Sequence, residues 1–249
     1  MVLWFINLCI ITNKLINHNN YITKMSGEKI LICVINNTGL WESYFCNDLL
    51  KLYEETKKIY PNTEVQNIQA SSVAQMRNYS CRYAMGKFGK IVNDNPTRYD
   101  YLIQLDTDHH YPKTFIVDLM KHKKDIVTGC TSSRHQPFQQ TQFKEFIKEI
   151  RSDDNIANPT PDEELMEIAA SGPVGMLIKV DILEKLKYPY YKITYIGSEE
   201  TNNVESVMGE DVNFCHQLKE AGIKIWLDPK ITFPHNIKNV FVNRGNIQL

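Results

Sequence analysis

Residues 99–112 read YDYLIQLDTDHHYP, an apolar run that stops on two aspartates one residue apart, Asp106 and Asp108. The segment Tyr101–Leu105 has the length and composition of a buried β-strand. Because side chains alternate along a strand, both carboxylates point the same way if the extended conformation continues beyond Leu105. Pro112 is placed to begin the following helix. The stretch therefore predicts paired acids at the carboxyl end of a buried strand.

The rest of the chain from Glu28 onward alternates between strand-like and helix-like segments, which is typical of an α/β layered domain. Ser72 and Gln75 have the spacing of a capping box, which predicts a helix start near Val73. The other predicted elements are a strand over Lys29–Ile35, a helix with its apolar face at Phe45, Leu49, Leu52 and Ile59, and a strand over Glu64–Ile68.

The paired acids have a specific chemical use in such a domain. The carboxyl ends of parallel strands face the crevice in which open α/β sheets bind ligands. Two ionised carboxylates there are costly unless something neutralises them, and a divalent cation does so. Mg²⁺ or Mn²⁺ commonly combines one or two carboxylates with substrate phosphates. Asp106 and Asp108 therefore predict a cation that holds a phosphorylated ligand.

Arg77 and Asn78 fall in the first turns of the helix that starts near Val73. An arginine beside a helix N-terminus is a good place for phosphate oxygens. The alternative is a helix-surface arginine that pairs with a carboxylate of a neighbouring strand, and the sequence leaves both open.

A second acidic group, Glu210 and Asp211, opens a helix that Gly222 closes in the C′ position. Acids in a first turn often serve only the helix dipole. The catalytic alternative is a general base within reach of an acceptor hydroxyl. A short strand over Ile223–Leu227 follows, Asp228 and Pro229 predict a turn, and His235 comes after Pro234.

Composition narrows the function classes. The 28 Lys and Arg residues against 29 Asp and Glu give a net charge of -1 without a dense basic tract, so we expect no nucleic-acid partner. The six cysteines show no C-x-x-C spacing, which favours reduced thiols in an intracellular protein. Residues 1–25 form an apolar extension whose apolar run, residues 2–11, is too short to span a bilayer. We expect a packed element or an upstream extension, with membrane attachment as the alternative.

Four motifs in a fixed order now carry a resemblance. The chain resembles the GT-A fold of nucleotide-sugar-dependent glycosyltransferases in these motifs. They are LDTD (105–108) after a strand, RN (77–78) on an earlier helix, GED (209–211) opening a late helix and FPH (233–235) shortly after WLDP (226–229). The set is similar to the small, family-two-like enzymes of viruses and bacteria. The resemblance implies a Rossmann-like α/β fold with a mostly parallel central sheet flanked by helices, as a single domain over residues 26–249. It also implies a cytoplasmic enzyme, in the host cytoplasm if the source is viral.

The resemblance implies a metal-dependent reaction in which Mn²⁺ or Mg²⁺ assists transfer of a sugar from a nucleoside-diphosphate sugar to an acceptor hydroxyl. The acceptor would be a glycan, a glycoprotein or another hydroxyl compound. Asp106 matches the acid that approaches the ribose and the metal's water shell, Asp108 the acid that binds the cation, and His235 the histidine that completes the metal site. Asn36 and Thr38 lie where the family holds the nucleotide, with Arg77 near the same pocket.

The acceptor side follows in the same way. Asp211 matches the base that deprotonates the acceptor hydroxyl in inverting members, with Glu210 beside it shaping the acceptor site. The segment 171–183 (SGPVGMLIKVDIL) resembles the acceptor-side segment, with Gly172 and Gly175 allowing close approach of sugar to backbone. His109 and His110 invite a metal-ligand interpretation, but neighbours on an extended chain point in opposite directions, so both are expected to be loop residues, with one of them a candidate to line the site.

Two other functions stay open. LDTD after an apolar strand is also similar to the D-x-D of haloacid-dehalogenase-type phosphatases, although HHYP follows here and more than a hundred residues precede it. The second is a GT-A-like module that binds sugar nucleotides or glycans without catalysis. Two polar stretches, residues 151–162 and 197–206, carry turn formers, lack a periodic apolar face and are expected to be mobile. The second is either a solvated loop or a lid that orders when donor binds.

Overall fold

The computed structural model describes residues 27–36, 40–87, 97–134, 138–146, 155–198, 203–237, 240–243 and 246–248. The strands in this part of the chain are β1 (Lys29–Ile35), β2 (Asn62–Ile68), β3 (Tyr101–Asp106), β4 (Ile126–Thr131), β5 (Met166–Ile168), β6 (Leu177–Lys179), β7 (Thr194–Ser198), β8 (Asn203–Met208), β9 (Ile225–Phe233), β10 (His235–Ile237), β11 (Val240–Asn243) and β12 (Asn246–Gln248). The helices are α1 (Ser43–Ile59), α2 (Val73–Ala84), α3 (Phe115–Lys121) and α4 (Glu210–Glu220), with a 3₁₀ helix at Val180–Lys185.

A seven-stranded sheet in the order β2-β1-β3-β6-β4-β9-β5 forms the centre of the fold. β1 pairs in parallel with β2 and β3, and β4 pairs in parallel with β9. β6 runs antiparallel to both β3 and β4, and β5 runs antiparallel to β9. All strands of the sheet except β5 and β6 thus share one direction, and the predicted α/β class with a mostly parallel sheet is confirmed.

Both faces of this sheet are covered by helices, as the alternation within β1 shows. Leu31, Cys33 and Ile35 join one buried cluster, which also contains side chains of α2 and α4. Ile30, Ile32 and Val34 join a second cluster with side chains of α1 and α3. A strand buried on both faces needs a continuous apolar run, and KILICVI supplies it.

The helix ends follow the local signals in the sequence. Ser72 is the N-cap of α2, and its side chain accepts a hydrogen bond from the backbone N–H of Gln75. The predicted start near Val73 is therefore confirmed. Gly222 follows the C-cap of α4 with φ of +71°, the left-handed conformation expected at C′.

The prediction of a turn at Asp228 and Pro229 is wrong: the chain does not reverse there, because β9 continues through both residues to Phe233. Between Thr128 and Cys130 of β4 the partner on β9 advances from Leu227 to Thr232. The extra residues bulge out of the sheet, and the Asp228 carboxylate accepts a hydrogen bond from the backbone N–H of Lys230 at 2.9 Å. The turn-forming pair is accommodated as a bulge that lets the strand reach the far edge.

Part of the stretch 197–206 is regular secondary structure. Its described residues belong to β7 and β8, which pair as an antiparallel hairpin directly before α4. Residues 151–154 of the other polar stretch lie outside the described residues, as does the apolar extension 1–25. Across the part of the chain that the structure describes, no helix combines the length and apolar character that a membrane span requires.

Candidate active site

Two chain segments distant in sequence meet at the carboxyl edge of the sheet. His109 and His235 form an antiparallel bridge between the turn after β3 and the start of β10. Backbone hydrogen bonds flank it, from His110 N–H to the Pro234 carbonyl at 2.9 Å and from Asn236 N–H to the Asp108 carbonyl at 2.7 Å. This pairing fixes Asp108, His109 and His235 around one point, although 127 positions separate the aspartate from His235.

The Asp108 carboxylate lies at the centre of this cluster. Its Oδ1 is 2.9 Å from His109 Nδ1, and its Oδ2 is 3.0 Å from His235 Nε2. The two imidazole rings stack with centroids 4.0 Å apart. One possible ligand atom from each of the three residues lies within 4.8 Å of the other two, which makes them a candidate metal group.

The protonation of His235 is set by its second nitrogen. Nδ1 lies 3.0 Å from the Ser132 carbonyl oxygen, which can only accept, so Nδ1 carries the hydrogen. A neutral His235 would then aim the Nε2 lone pair at a carboxylate, which is favourable only with a cation between them. Burial opposes the charged ring, but the Asp108 carboxylate outweighs it and raises the pKa of His235 above its usual value. A proton on Nε2 meets the same requirement, and the raised pKa of His235 favours it.

The same contacts shift the pKa values of Asp108 and His109. Burial alone would raise the pKa of Asp108, but the neighbouring His109 and His235 hold it well below its usual range. Burial lowers the pKa of His109, despite its hydrogen bond to Asp108, so this ring is neutral near pH 7. The cluster thus presents an ionised carboxylate and two imidazole nitrogens, which are metal-ligand chemistry.

Asp106 has a different partner from Asp108. Both of its oxygens accept hydrogen bonds from Arg77 Nη2, at 3.0 and 2.8 Å, and only 4% of the arginine side chain is exposed. Asp106 is the last residue of β3 and Thr107 begins a turn, so the extended conformation does not carry the two carboxylates to one point. Among the described residues the metal-capable group contains Asp108 but not Asp106.

Arg77 therefore follows the alternative of pairing with a carboxylate on a neighbouring strand, but it is buried rather than on the helix surface. Burial lowers its pKa, yet the attraction of Asp106 more than compensates, and the net pKa is raised. Within the described residues, only Nε of the guanidinium lacks a hydrogen-bond partner. The side chain is committed to Asp106, which leaves it little capacity for a phosphate.

The acidic pair Glu210–Asp211 opens α4, with Gly209 as N-cap. The Asp211 Oδ1 accepts a hydrogen bond from the Val212 N–H at 2.7 Å. Burial and the adjacent Asp211 raise the pKa of Glu210, while Arg77 lowers it and Asp106 raises it further. Glu210 thus lies within electrostatic range of the Arg77–Asp106 pair at the end of β3.

Three other residues predicted from the sequence are Asn36, Thr38 and Gly175. Asn36 is buried where β1 leaves the sheet, one residue past the pair Ile35–Asp106, and its Nδ2 donates to the Leu40 carbonyl at 2.8 Å. Thr38 lies outside the described residues. A Cβ on Gly175, which has φ of +65°, would stand 2.5 Å from the Phe233 ring, so packing and backbone conformation both require glycine there.

Sequence reasoning missed three residues that complete the site. His109 and His110 do face different partners, His235 and Asp48, and His109 is the one that joins the metal-capable group. The Tyr111 hydroxyl bonds both the N–H and the carbonyl of Asp106, at 3.0 and 2.9 Å. Arg134 follows β4 and places Nη1 3.5 Å from Asp108 Oδ2. The doubled histidine was the available signal, while Arg134 had none.

One solved structure agrees with this architecture. No protein-family model matches the chain, and no curated protein matches it. A structure described as A197 from STIV matches with a TM-score of 0.56 at 15% identity, covering 89% of this chain and 93% of that one. S. aureus TarS 1-349 matches with a TM-score of 0.41 at 13% identity, covering 84% of this chain and 60% of that one. The match to A197 supports a GT-A-like fold, which confirms the fold predicted from the four motifs.

Proposed function

We propose that this chain is a metal-dependent glycosyltransferase that moves a sugar from a nucleoside-diphosphate sugar to an acceptor hydroxyl. The observation that carries the proposal is the convergence of Asp108, His109 and His235 at the carboxyl edge of a GT-A-like sheet. Open α/β sheets bind their ligands at that edge. The acidic pair Glu210–Asp211 opens the helix beside it, within electrostatic range of β3.

The residues fit a divalent cation by their donor chemistry. The proton on His235 Nδ1 is fixed by the Ser132 carbonyl, which leaves Nε2 as a metal ligand directed at the Asp108 carboxylate. Mg²⁺ prefers oxygen ligands, so two imidazoles beside one carboxylate favour Mn²⁺ over Mg²⁺. When bound by Asp108 and His235, with His109 adjacent, the cation would neutralise the leaving nucleoside diphosphate as a Lewis acid.

The protein's own groups supply the rest of the reaction. The acceptor oxygen forms a bond to the anomeric carbon, and the bond from that carbon to the diphosphate oxygen breaks. Asp211 takes the acceptor's proton, and attack from the face opposite the leaving group inverts the anomeric centre. Glu210 shapes the acceptor side. On the donor side, Asn36 and Thr38 meet the nucleotide and Asp106, held in place by Arg77, receives the ribose.

The acceptor is a glycan, a glycoprotein or another hydroxyl compound, and no nucleic acid is involved. The hairpin β7–β8 is tied to α4 by a hydrogen bond from Asn213 Nδ2 to Thr194 Oγ1 at 2.6 Å. It therefore lies beside the end of α4 on which Asp211 sits, which is where an acceptor must approach.

Thermal stabilisation tests the donor and the metal together. UDP, GDP, CMP and TDP sugars are each added with Mn²⁺ or with a chelator, to the wild-type protein and to Asp108→Ala. A ligand that binds only the folded state raises its apparent stability. We expect a Mn²⁺-dependent rise in Tm with one nucleotide family, absent from the variant. No shift with any donor would favour the phosphatase or a module that binds glycans alone, and a phosphatase substrate screen would separate those two.

Asp211→Asn tests the mechanism. It should abolish turnover while the donor and Mn²⁺ still raise Tm as in the wild-type protein. Normal turnover by this variant would refute the assignment of the base and leave the transferase proposal standing.

A further inference from the structure

Asp108 has a third neighbouring side chain, the positively charged Arg134, which the proposed reaction does not use. Arg134 Nη1 lies 3.5 Å from Oδ2, the same oxygen that His235 approaches. The arginine side chain is 62% exposed, whereas the side chains of His109 and His235 are 4% and 11% exposed. Of these three side chains, only that of Arg134 can move away from the carboxylate without exposing a buried polar group to solvent.

A divalent cation bound to Asp108 would compete with the Arg134 guanidinium for this oxygen. Like charges within a few ångströms repel, and the stronger charge stays with the carboxylate. The two histidines are held in place, His235 by the Ser132 carbonyl and His109 by its bridge to β10. The displaced group is therefore the Arg134 guanidinium, whose pairing with Asp108 is that of an exposed and weak ion pair.

The displaced guanidinium remains beside the site, because Arg134 is only two residues past Ser132. A planar guanidinium binds phosphate oxygens through two parallel hydrogen bonds, which a lysine does not reproduce. The anion that accompanies the cation in the proposed reaction is the diphosphate of the donor.

We propose that Arg134 is a metal-gated diphosphate ligand, paired with Asp108 before the cation binds and released by it to hold the donor's diphosphate. This inference rests on the proposed function, since it requires a metal on Asp108 and a diphosphate beside it. It assigns one side chain opposite effects on two ligands: Arg134 competes with the metal and assists the anion.

The test measures the two ligands separately on the purified full chain. Mn²⁺ binding alone is followed by electron paramagnetic resonance, in which the signal of free Mn²⁺ decreases as the ion binds. Binding of UDP and of GDP is then followed by calorimetry at saturating Mn²⁺. We expect Arg134→Ala to bind Mn²⁺ about 2- to 5-fold more tightly, the size of an exposed ion pair. Of UDP and GDP, one is the nucleotide that the wild-type protein binds more tightly. The same variant should bind that nucleotide about 10-fold more weakly, the size of a lost charge-assisted hydrogen bond.

Two matched variants sharpen the result. Arg134→Lys keeps the charge but loses the planar fork, so Mn²⁺ binding should stay as in the wild-type protein while diphosphate binding weakens. Arg98→Ala removes another exposed arginine, paired with Asp181 and Glu184 just before the opposite end of β3, and should change neither affinity. Weaker or unchanged Mn²⁺ binding by Arg134→Ala, or unchanged diphosphate binding, would overturn the gate while Mn²⁺ binding by the wild-type protein still supports the transferase. Absence of Mn²⁺ binding in the wild-type protein would overturn both.

Discussion

The carboxylate of Asp211 lies against Gly209, the N-cap of its own helix. A Cβ atom added to Gly209 would stand 2.8 Å from Asp211 Oδ1, closer than non-bonded atoms come. The backbone of Gly209, with φ of -61° and ψ of 162°, is open to any residue. The missing side chain at this position therefore serves the placement of Asp211 rather than the conformation of the chain.

Gly209→Ala should consequently slow turnover while leaving the fold intact. The new methyl pushes the Asp211 carboxylate aside, and a displacement of about 1 Å at a reacting group costs up to about 100-fold in rate. The free energy of unfolding should change by less than about 1 kcal/mol, because only a helix cap is altered. Steady-state kinetics and urea unfolding measure the two effects. Turnover of Gly209→Ala equal to that of the wild-type protein would contradict this account.

Glu210→Gln should stabilise the protein at pH 7. Burial and the adjacent Asp211 raise the pKa of Glu210 in the folded state, so the unfolded chain releases this proton at lower pH than the folded one. Stability therefore falls as pH rises from about 4.3 through the folded pKa, and glutamine removes that loss. The gain should vanish below about pH 4.

Urea unfolding between pH 4 and pH 8 measures this dependence. Glu220→Gln at the other, exposed end of the same helix is the matched control and should stay within about 0.5 kcal/mol of the wild-type protein. A Glu210→Gln protein that is less stable at pH 7 would show that the attraction of Arg77 outweighs the burial.

Asp106 and Asp108 should fail in different ways when each is replaced by alanine. Asp106→Ala leaves the buried Arg77 without its partner, which costs about 3 kcal/mol of unfolding free energy. Asp108→Ala removes the centre of the metal-capable group, so it should abolish Mn²⁺ binding with a smaller loss of stability. Urea unfolding with chelator and calorimetry with Mn²⁺ separate the two. Arg77→Met added to Asp106→Ala should recover part of the lost stability, and equal Mn²⁺ loss in both aspartate variants would contradict the division.

Much of the fold could be read from local signals, because they coincide with the tertiary structure. The apolar run of β1, the Ser72 cap and Gly222 each act within a few residues, and each appears where predicted. The short strands β5 and β6 have three residues apiece and no sequence signature of their own. Their pairing is decided by long-range neighbours, which periodicity cannot show.

Candidate site residues could be named from the sequence, but their geometry could not. Asp108 and His235, which the resemblance assigns to one metal site, lie 3.0 Å apart. The expectation that Asp106 joins them depended on an extended chain beyond β3, and Thr107 begins a turn instead. That turn directs Asp106 to Arg77 and presents His109 to His235, so a local change of backbone direction places both side chains.

His109 and His110 offer a direct test of this rearrangement, because they are neighbours with different surroundings. His109 lies on Asp108 and His235, whereas His110 pairs with Asp48 on α1. His109→Ala should weaken Mn²⁺ binding by about 10-fold or more, the loss typical of residues that ligate a metal or orient its ligands. His110→Ala should leave Mn²⁺ affinity within about 2-fold of the wild-type value, since its contact is outside the metal-capable group. Calorimetry at pH 7.5 on variants with native circular dichroism measures both, and equal losses would place the cation away from His109.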